Sequence, residues 1–324
     1  MPKSYIRTGR TINIRCVCPE SLGVFREAER HGTVSFLQSI RKASRRDGIS
    51  LLIDFHRVQH IHPSGAILLT AEIHRALHDP TRKRVVYGNR AQNSLADQVL
   101  KQIGIYELLA VECSIEPDDE TVRHWRAASG NLSEGEKGGS LIEKYDGRLA
   151  DGIARGIYDG IVEAMTNTLH HAYIGKLGKE LCYGLGRRWW MLSQEKDQAL
   201  TVAICDLGIG IPRSLPLGQT FSRDIVRHLW SKLKLDRNDG NAIKVALELG
   251  RTRTNQKGRG KGLSEIIDAV NLSDDGMVLI SSNRGIFTSS AEGGYTHTDS
   301  HSIQGTLILW RVPVAAKDDE GNGD

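Results

Sequence analysis

The sequence predicts an α/β protein with two domains. In residues 1–112, strand-like apolar runs alternate with amphipathic helical segments, which is the order of a layered α/β domain. In residues 148–313, one long helix precedes a hairpin and further strands, which predicts an α/β sandwich with a mixed sheet. The stretch 113–147 is polar and glycine-rich, so we expect a linker, and we expect the charged tail 314–324 to be disordered. A length of 324 residues permits about two domains.

The composition is that of an ordinary globular protein, with 39% hydrophobic and 25% charged residues. A net charge of +4 is small for this size and does not favour nucleic-acid binding. The start of the chain lacks an apolar signal segment, and no run approaches membrane-spanning length. Five cysteines without a regular pairing pattern are typical of reduced thiols. We therefore expect a cytoplasmic protein that binds neither membranes nor nucleic acid.

The first domain shows three strand–helix pairs in sequence. RTINIRCVCP predicts a strand, followed by a basic helix in VSFLQSIRKASRRDG that ends at a glycine. ISLLIDFHRV predicts a buried strand, followed by a helix in SGAILLTAEIHRAL with Ser64 at its start. RKRVVYGN predicts a third strand, followed by a helix in NSLADQVLKQIGIYELL.

The second domain opens with a predicted helix over residues 157–173, IYDGIVEAMTNTLHHAY. Glu163, Asn167 and His171 are spaced by four and therefore share one helical face, while apolar side chains follow the opposite face. A carboxylate can orient or deprotonate a nucleophile, and an amide oxygen can bind a hard cation such as Mg²⁺. The row is thus suited to a metal-bound polyphosphate. The alternative is a solvated helix face with ordinary contacts along it.

The run ALTVAICDLGIGIP predicts a buried strand that ends at Asp206. A carboxylate at the end of a buried strand can accept a hydrogen bond from an exocyclic amine such as that of adenine. Gly208 and Gly210 follow it, and glycines allow a sharp turn and a close approach to a flat ring.

A second glycine cluster lies in KGRGKGLSEI and precedes a helix predicted to begin near Leu263. Free N–H groups at such a helix start can hold phosphates, and two basic side chains add positive charge. The residues of this cluster are Gly258, Arg259, Gly260, Lys261 and Gly262. Either glycine cluster alone is a weak signal, because turns collect glycine. The ordered set of motifs is a strong one.

The motifs follow one another in the order Glu163-x-x-x-Asn167-x-x-x-His171, Asp206-x-Gly208-x-Gly210, Gly258-x-Gly260-x-Gly262 and Gly305-Thr306. In this order they resemble the motifs of the GHKL ATPases. EAMTNTLHHAY is most similar to the serine-protein kinases that act as anti-sigma factors. The resemblance covers residues 148–313 and implies a Bergerat fold that binds ATP and Mg²⁺. It implies Glu163 as general base, Asn167 as metal ligand, Asp206 as the adenine-binding carboxylate and Thr306 as a water-mediated contact to adenine. The nucleotide-binding residues implied are Asn167, His171, Asp206, Gly208, Gly210, Gly258, Arg259, Gly260, Lys261, Gly262, Leu263 and Thr306.

By the same resemblance, the segment from Ile211 to Gly258 corresponds to the ATP lid. It is long and basic, with charges at Arg223, Arg227, Lys232, Lys234, Arg251 and Arg253. These side chains can reach the γ-phosphate, bind a partner or simply solvate a helix, and we favour solvation for most of them.

The segment LLIDFHRVQHIHPSGAILLTAEI resembles the STAS domain of anti-sigma factor antagonists. In those proteins the second serine of Asp-Ser-Ser-Gly accepts phosphate, and Ser64 occupies that place, preceded here by His62 and Pro63. A phosphate at a helix N-terminus would be stabilised by the helix dipole. Ser64 is therefore a candidate phosphoacceptor, and helix capping, which we favour, is the alternative. Three histidines near this turn, His56, His60 and His62, are expected to be exposed rather than metal-bound.

Two classes of function follow. The first is an enzyme that transfers the γ-phosphoryl group of ATP to serine or hydrolyses ATP in the presence of Mg²⁺. The second is a non-catalytic switch, in which bound ATP orders the lid and changes a partner surface. The resemblance implies a regulatory protein partner, either a sigma factor or an antagonist-like protein. It leaves the choice between monomer and homodimer open.

Overall fold

A computed structural model describes residues 5–8, 11–78, 84–133, 136, 139–140, 143–145, 147–217, 222–253, 262–271 and 273–315. The chain is a mixed α/β protein, as predicted. Its helices are α1 (Glu27–Ser44), α2 (Pro63–His78), α3 (Ser94–Gln102), α4 (Ile105–Leu108), α5 (Glu120–Arg123), α6 (Asp151–Asn167), α7 (Gly175–Leu181), α8 (Ile211–Ser214), α9 (Arg223–Leu233), α10 (Asp239–Arg253) and α11 (Gly262–Val270). Within the described ranges, every helix is too short or too polar to span a bilayer.

Thirteen strands form two large sheets and one short pair in this part of the chain. The strands are β1 (Tyr5–Thr8), β2 (Thr11–Val17), β3 (Ser21–Leu22), β4 (Ile49–Asp54), β5 (His60–Ile61), β6 (Arg84–Gly88), β7 (Arg126–Gly130), β8 (Trp189–Lys196), β9 (Ala199–Asp206), β10 (Met277–Ser282), β11 (Gly285–Ser290), β12 (Gly293–Thr298) and β13 (Thr306–Pro313).

The first unit, formed by β1–β6 and α1–α4, contains a four-stranded sheet in the order β1-β2-β4-β6. β2, β4 and β6 are parallel, and β1 is antiparallel to β2. Alternate residues of β2 and β4, such as Ile14 and Leu51, are buried in one core with α1 and α2. This follows from the period of two along a strand, which places every second side chain on the helix-covered face.

Two helices of the first unit differ from the predicted boundaries. Helix α1 begins at Glu27, seven residues before the apolar run on which the prediction rested, with Glu27 and Glu29 in its first turn. Acidic residues stabilise a helix start through its dipole, so these polar residues extend the helix. The single helix predicted over 93–109 is divided into α3 and α4 at Gly104, whose φ of +78° interrupts helical geometry.

The second sheet has seven strands in the order β12-β11-β10-β13-β9-β8-β7, and all six pairings are antiparallel. The mixed sheet expected for the second domain is therefore wrong for the described residues. β13 lies between β9 and β10 and is antiparallel to both, so these two strands run in the same direction without becoming parallel neighbours. A two-residue turn at Asp197 and Gln198, both with positive φ, closes the predicted β8–β9 hairpin.

The stretch predicted as a linker, 113–147, contributes an edge strand to this sheet. β7 pairs with β8, with Gly130 opposite Trp189. At the other end, Val314 is buried and its N–H donates to Gln198 O, so the fold continues past the predicted start of the tail. The tail prediction otherwise falls on residues 316–324, which lie outside the described residues.

Both faces of the seven-stranded sheet are covered over its central strands. Trp189 and Met191 of β8 pack in a core with α6, α10 and α11, and we call this side the front face. Trp190 and Leu192 alternate with them and pack in the core of the first unit, and we call that side the back face. Helix α2 packs directly against β8 and β9 there. Because both of their faces are buried, β9 and β13 are mostly apolar, whereas the edge strand β12 is exposed and polar.

Candidate functional site

A pocket opens on the front face beside the polar side of α6. Glu163, Asn167 and His171 all line it, as their spacing predicts. The amide nitrogen Nδ2 of Asn167 donates to Oε1 of Glu163 across 3.2 Å. With its nitrogen held by the carboxylate, the amide oxygen of Asn167 is the atom left for a cation. The apolar face predicted for this helix is buried, at Ile157, Ile161, Met165 and Thr168.

The last turn of this helix is not α-helical. Residues 168–172 form a π-helical turn, and such turns are frequent at functional sites. At the last residue of this turn, Ala172 O accepts a hydrogen bond from the N–H of Ile209 at 2.7 Å. The buried hydroxyl of Tyr173 accepts from Leu207 N at 3.2 Å and donates to Arg188 O at 2.9 Å. The helix end thus holds the loop that follows Asp206.

Asp206 ends β9 and lines the pocket while only 7% of it is exposed. Its Oδ1 accepts from the N–H of Gly208 at 2.7 Å. Burial raises the pKa of the carboxyl group from 3.8 to about 7, although hydrogen bonds from the Gly208 and Thr306 backbone act in the opposite direction. A buried carboxyl group without a cationic partner in a pocket is a strong candidate for ligand binding.

The two glycines after Asp206 are required by close backbone packing. A Cβ on Gly208 would lie 2.2 Å from Ala172 O, a distance that no real side chain tolerates. Gly210 has a φ of +77°, and a Cβ there would lie 2.6 Å from the Asn283 side chain. The loop therefore packs tightly between Ala172, which follows α6, and Asn283, which follows β10. The close approach to a flat ring that the sequence predicts for these glycines stays a prediction.

Thr306 begins β13 directly opposite Asp206 and lines the same pocket. Its hydroxyl lies 2.9 Å from that of Ser282, whose oxygen accepts from the N–H of Ile211 at 2.8 Å. Asn283 donates its Nδ2 to Ile209 O at 2.8 Å. Sequence reasoning missed Ser282 and Asn283; their signal is a polar pair that ends the otherwise apolar run MVLISSN.

The opposite wall of the pocket comes from the predicted lid and from α11. Its lining residues are Ile211, Ser214, Leu215, Ile243, Ala246, Leu247, Leu249, Gly250, Leu263 and Ser264. The helix predicted near Leu263 begins at Gly262, as expected. Gly258, Arg259, Gly260 and Lys261, the predicted phosphate loop, lie outside the described residues.

Ser264 was also missed, and it carries a distinctive signal in the structure. It lies in the first turn of α11, is 2% exposed and lines the pocket. Its hydroxyl oxygen has no hydrogen-bond partner among the described residues. Because a buried hydroxyl without a partner costs free energy, a polar group in the pocket would satisfy it. An anionic oxygen fits here, since the N-terminus of the helix favours negative charge.

The basic residues of the lid segment divide into two groups. Arg223, Arg227 and Lys232 of α9 are exposed, as is Lys234 directly after it, as solvation of a helix face predicts. The side chains of Arg251 and Arg253 lie outside the described residues. On its other side, α9 packs against α10 in a small core formed by Val226, Leu229, Val245 and Leu249.

Ser64 lies in the first unit and is 3% exposed. Its hydroxyl accepts from the N–H of Val24 at 3.3 Å, so the group it satisfies belongs to another segment and not to its own helix. Phosphorylation of Ser64 would require this contact to open. Nearby, His56 and His60 are exposed, and Nε2 of His62 lies 3.2 Å from Oε1 of Glu29.

No group of three or more histidine, cysteine, aspartate or glutamate side chains in the described part of the chain is arranged to hold a metal ion. Magnesium bound with a nucleotide does not need such a group, since it takes one or two protein ligands together with phosphate oxygens and water. Asn167 fits that requirement.

No protein-family model matches the chain, and no curated protein matches it in sequence. The pocket is therefore interpreted from its own geometry and chemistry.

Proposed function

We propose that this protein is an ATP-binding regulator whose front pocket carries out Mg²⁺-dependent phosphoryl transfer or hydrolysis to control a partner protein. One observation carries the proposal: a single pocket combines the Glu163–Asn167 pair, the buried carboxyl group of Asp206 and the Ser264 hydroxyl, which has no hydrogen-bond partner within the described residues. The Glu163–Asn167 pair suits a nucleophile and a cation. The Asp206 carboxyl group suits a nucleobase amine, and the Ser264 hydroxyl suits a phosphate oxygen.

Asp206 and Thr306 would hold the adenine end of the nucleotide. Asp206 accepts from the exocyclic amine, and the Thr306 hydroxyl supports the ring through water. The apolar walls, including Ile308 and Leu247, pack against the flat base. Because the Gly208 turn is pressed against the helix end at Ala172, the carboxyl group is held in place before the ligand arrives.

Glu163 and Asn167 would act at the phosphate end. Glu163 takes a proton from a serine hydroxyl or a water molecule, which makes that oxygen the nucleophile. The Asn167 oxygen binds Mg²⁺, which, when present, neutralises charge on the phosphates. The hydrogen bond between the two side chains orients both of them. Ser264 and the start of α11 bind phosphate oxygens.

The second candidate is a non-catalytic switch in which bound ATP changes a partner surface. It is favoured by the construction of the pocket wall, which the lid helices α8 and α10 form in part. Helix α10 packs in turn against α9, whose exposed face is basic. A ligand that fills the pocket would therefore affect an exposed surface to which a partner can bind. In such a switch, Glu163 orients the ligand and no phosphate is released.

The fate of the γ-phosphate tests the proposal. The purified chain is incubated with Mg²⁺ and ATP labelled on the γ-phosphate, and label is counted on protein and as free phosphate. Free phosphate that disappears in Glu163→Gln but persists in the exposed neighbour variant His170→Ala assigns hydrolysis to Glu163. Label on the chain that disappears in both Glu163→Gln and Ser64→Ala assigns autophosphorylation with Ser64 as the acceptor. ATP binding without either product supports the switch, and absence of ATP binding contradicts the whole proposal.

A further inference from the structure

The segment between β12 and β13 is held by three side chains of the first unit. Residues 301–303 present three successive backbone carbonyls toward α1, and each accepts a hydrogen bond from a different side chain of that helix. The bonds are Arg30 Nη2 to His301 O at 3.3 Å, Gln38 Nε2 to Ser302 O at 3.4 Å and Arg41 Nη2 to Ile303 O at 3.1 Å. One helix face thus binds one stretch of backbone over three consecutive residues.

Two of these side chains are fixed by further contacts. Arg30 is 1% exposed, donates to Val24 O at 2.9 Å and to Ser281 Oγ at 3.2 Å, and lies 3.5 Å from Asp299. Burial lowers its pKa to about 10, opposed by the Asp299 charge, so it remains a cation at neutral pH. Because its hydrogen bonds are distributed over both units, Arg30 cannot move without loosening one of them.

Arg41 is fixed by Glu72 of α2. Its Nε donates to Oε1 of Glu72 at 3.1 Å, and Arg75 contacts the other carboxylate oxygen. Glu72 is 1% exposed, so both cations compensate a charge that would otherwise be costly to bury. The planar guanidinium of Arg41 therefore reaches Glu72 and Ile303 O at the same time, which a single ammonium group does poorly.

The other side of the same segment holds the loop after Asp206. Gln304 Nε2 donates to Leu207 O at 3.3 Å. Asn283 accepts from Ile303 N, donates its N–H to Gly305 O and holds Ile209 O with its side chain. The segment therefore joins α1 to both carbonyls that flank Gly208, and it leads directly into Thr306.

We propose that α1, through Arg30, Gln38 and Arg41, is a positioning element for the front pocket and sets its affinity for the nucleotide. The inference rests on the proposed function and specifies how that site is regulated. The first unit supports the adenine end of the pocket from behind, and residues 299–305 connect the two. Since coupling between two sites is reciprocal, a filled pocket also strengthens the contacts between α1 and this segment. A protein that displaces α1 would then weaken nucleotide binding.

The test replaces the guanidinium group of Arg41 with another positively charged group. Arg41→Lys retains a cation beside Glu72 and loses the bond to Ile303 O. Gln38→Ala removes the bond to Ser302 O from a side chain that is partly exposed. Arg90→Lys is the matched control, because Arg90 forms the same kind of ion pair with the buried Asp97 inside the first unit. We expect the Arg41→Lys, Gln38→Ala double variant to bind ATP about tenfold more weakly, and Arg90→Lys to stay within about twofold of the wild type.

Hydrogen exchange supplies a readout that needs no nucleotide. The amides of Leu207 and Ile209 should exchange faster in Arg41→Lys and in Gln38→Ala, while the amide of Thr296 in β12 should not change. Unaltered ATP affinity together with unaltered exchange at Leu207 and Ile209 would overturn the proposal. If the wild type binds no ATP, the proposed function fails, and faster exchange at these two amides still supports the positioning role of α1.

Discussion

The front and back faces of the seven-stranded sheet each bury a carboxyl group, and the two groups differ in their partners. On the back face, burial alone would raise the pKa of Glu72, but Arg41 and Arg75 lower it overall. On the front face, Asp206 has no cationic partner among the described residues, and burial raises its pKa to about 7. The paired carboxylate fixes Arg41, which reaches across to Ile303 O of the second unit, and the unpaired one faces a pocket. Burial of charge without compensation therefore marks the candidate binding site.

The faces also differ in the side chains that line their cavities. On the back face, Trp190 and Leu192 pack against the first unit, and the Trp190 indole donates to His74 Nδ1 at 2.6 Å. On the front face, the same strands end at an opening lined by polar groups from α6 and α11. A second cavity lies on the back face beside Thr70, His74 and Trp190, and no carboxyl group of the described residues lines it. One sheet thus carries a cavity on each face, and acidic side chains line the front one.

The largest difference should appear in stability when each carboxyl group is replaced by its amide. Glu72→Gln leaves Arg41 and Arg75 without their counter-charge and should lower the free energy of unfolding by about 3–5 kcal/mol. Asp206→Asn removes a charge that burial disfavours and should leave the unfolding free energy at pH 8 unchanged or raised. Urea denaturation of the two variants checks this. A similar loss of stability in both would contradict the contrast between the faces.

The pH dependence of stability should have opposite signs at the two positions. The folded pKa of Asp206, about 7, lies above its ordinary value of 3.8. Its stabilising contribution is therefore complete below about pH 4 and is lost as pH rises through about 7. Glu72 has a lowered pKa, so its contribution is present above its ordinary value of 4.5 and is lost as pH falls. Unfolding free energies of wild type, Asp206→Asn and Glu72→Gln are measured from about pH 2 to pH 8, because the Glu72 trend lies below its ordinary pKa and the Asp206 trend lies above pH 4.

Asn167→Ala should remove the Mg²⁺-dependent part of ATP binding. We expect affinity in the presence of Mg²⁺ to fall by about tenfold or more, because the pocket loses its amide oxygen ligand. Affinity measured in a chelator should stay near that of the wild type. Calorimetry with His170→Ala as the control checks this, and an unchanged Mg²⁺ effect in Asn167→Ala would remove Asn167 from the metal site.

Ser264→Ala should have the smallest effect on binding. Loss of one hydroxyl donor to a phosphate oxygen should weaken ADP and ATP binding by about fivefold to tenfold. Adenosine, which has no phosphate, should bind both forms equally. The change should not reduce stability, since the hydroxyl has no partner within the described residues. Equal weakening for adenosine and ATP would place Ser264 away from the phosphates.

Much of the front face could be predicted from sequence because its signals are local. The four-residue spacing of Glu163, Asn167 and His171 places them on one helical face, and all three line the pocket. The position of Asp206 at a strand end followed from the apolar run before it. Thr306 lies opposite Asp206 because of the strand register, which the sequence pattern does not contain. The resemblance implied only that both residues contact adenine.

The remainder depends on contacts between distant segments. Tyr173, Ser282 and Asn283 act through hydrogen bonds to the loop after Asp206, and nothing in their immediate sequence indicates that partner. The apolar run of β8 predicts burial, but a run of this kind does not reveal that the first unit provides the cover. The antiparallel order of the seven-stranded sheet was missed for the same reason, since β13 is inserted from a distant part of the chain.

Equilibrium binding of ATP and GTP to wild type and Asp206→Asn decides whether the front pocket is an adenine site. The wild type should bind ATP in preference to GTP, because Asp206 accepts a hydrogen bond from an amine that guanine lacks at that position. Asp206→Asn should bind ATP about 100-fold more weakly and should lose the preference. Equal binding of both nucleotides by the wild type, or unchanged ATP affinity in the variant, would show that the front pocket is not an adenine site.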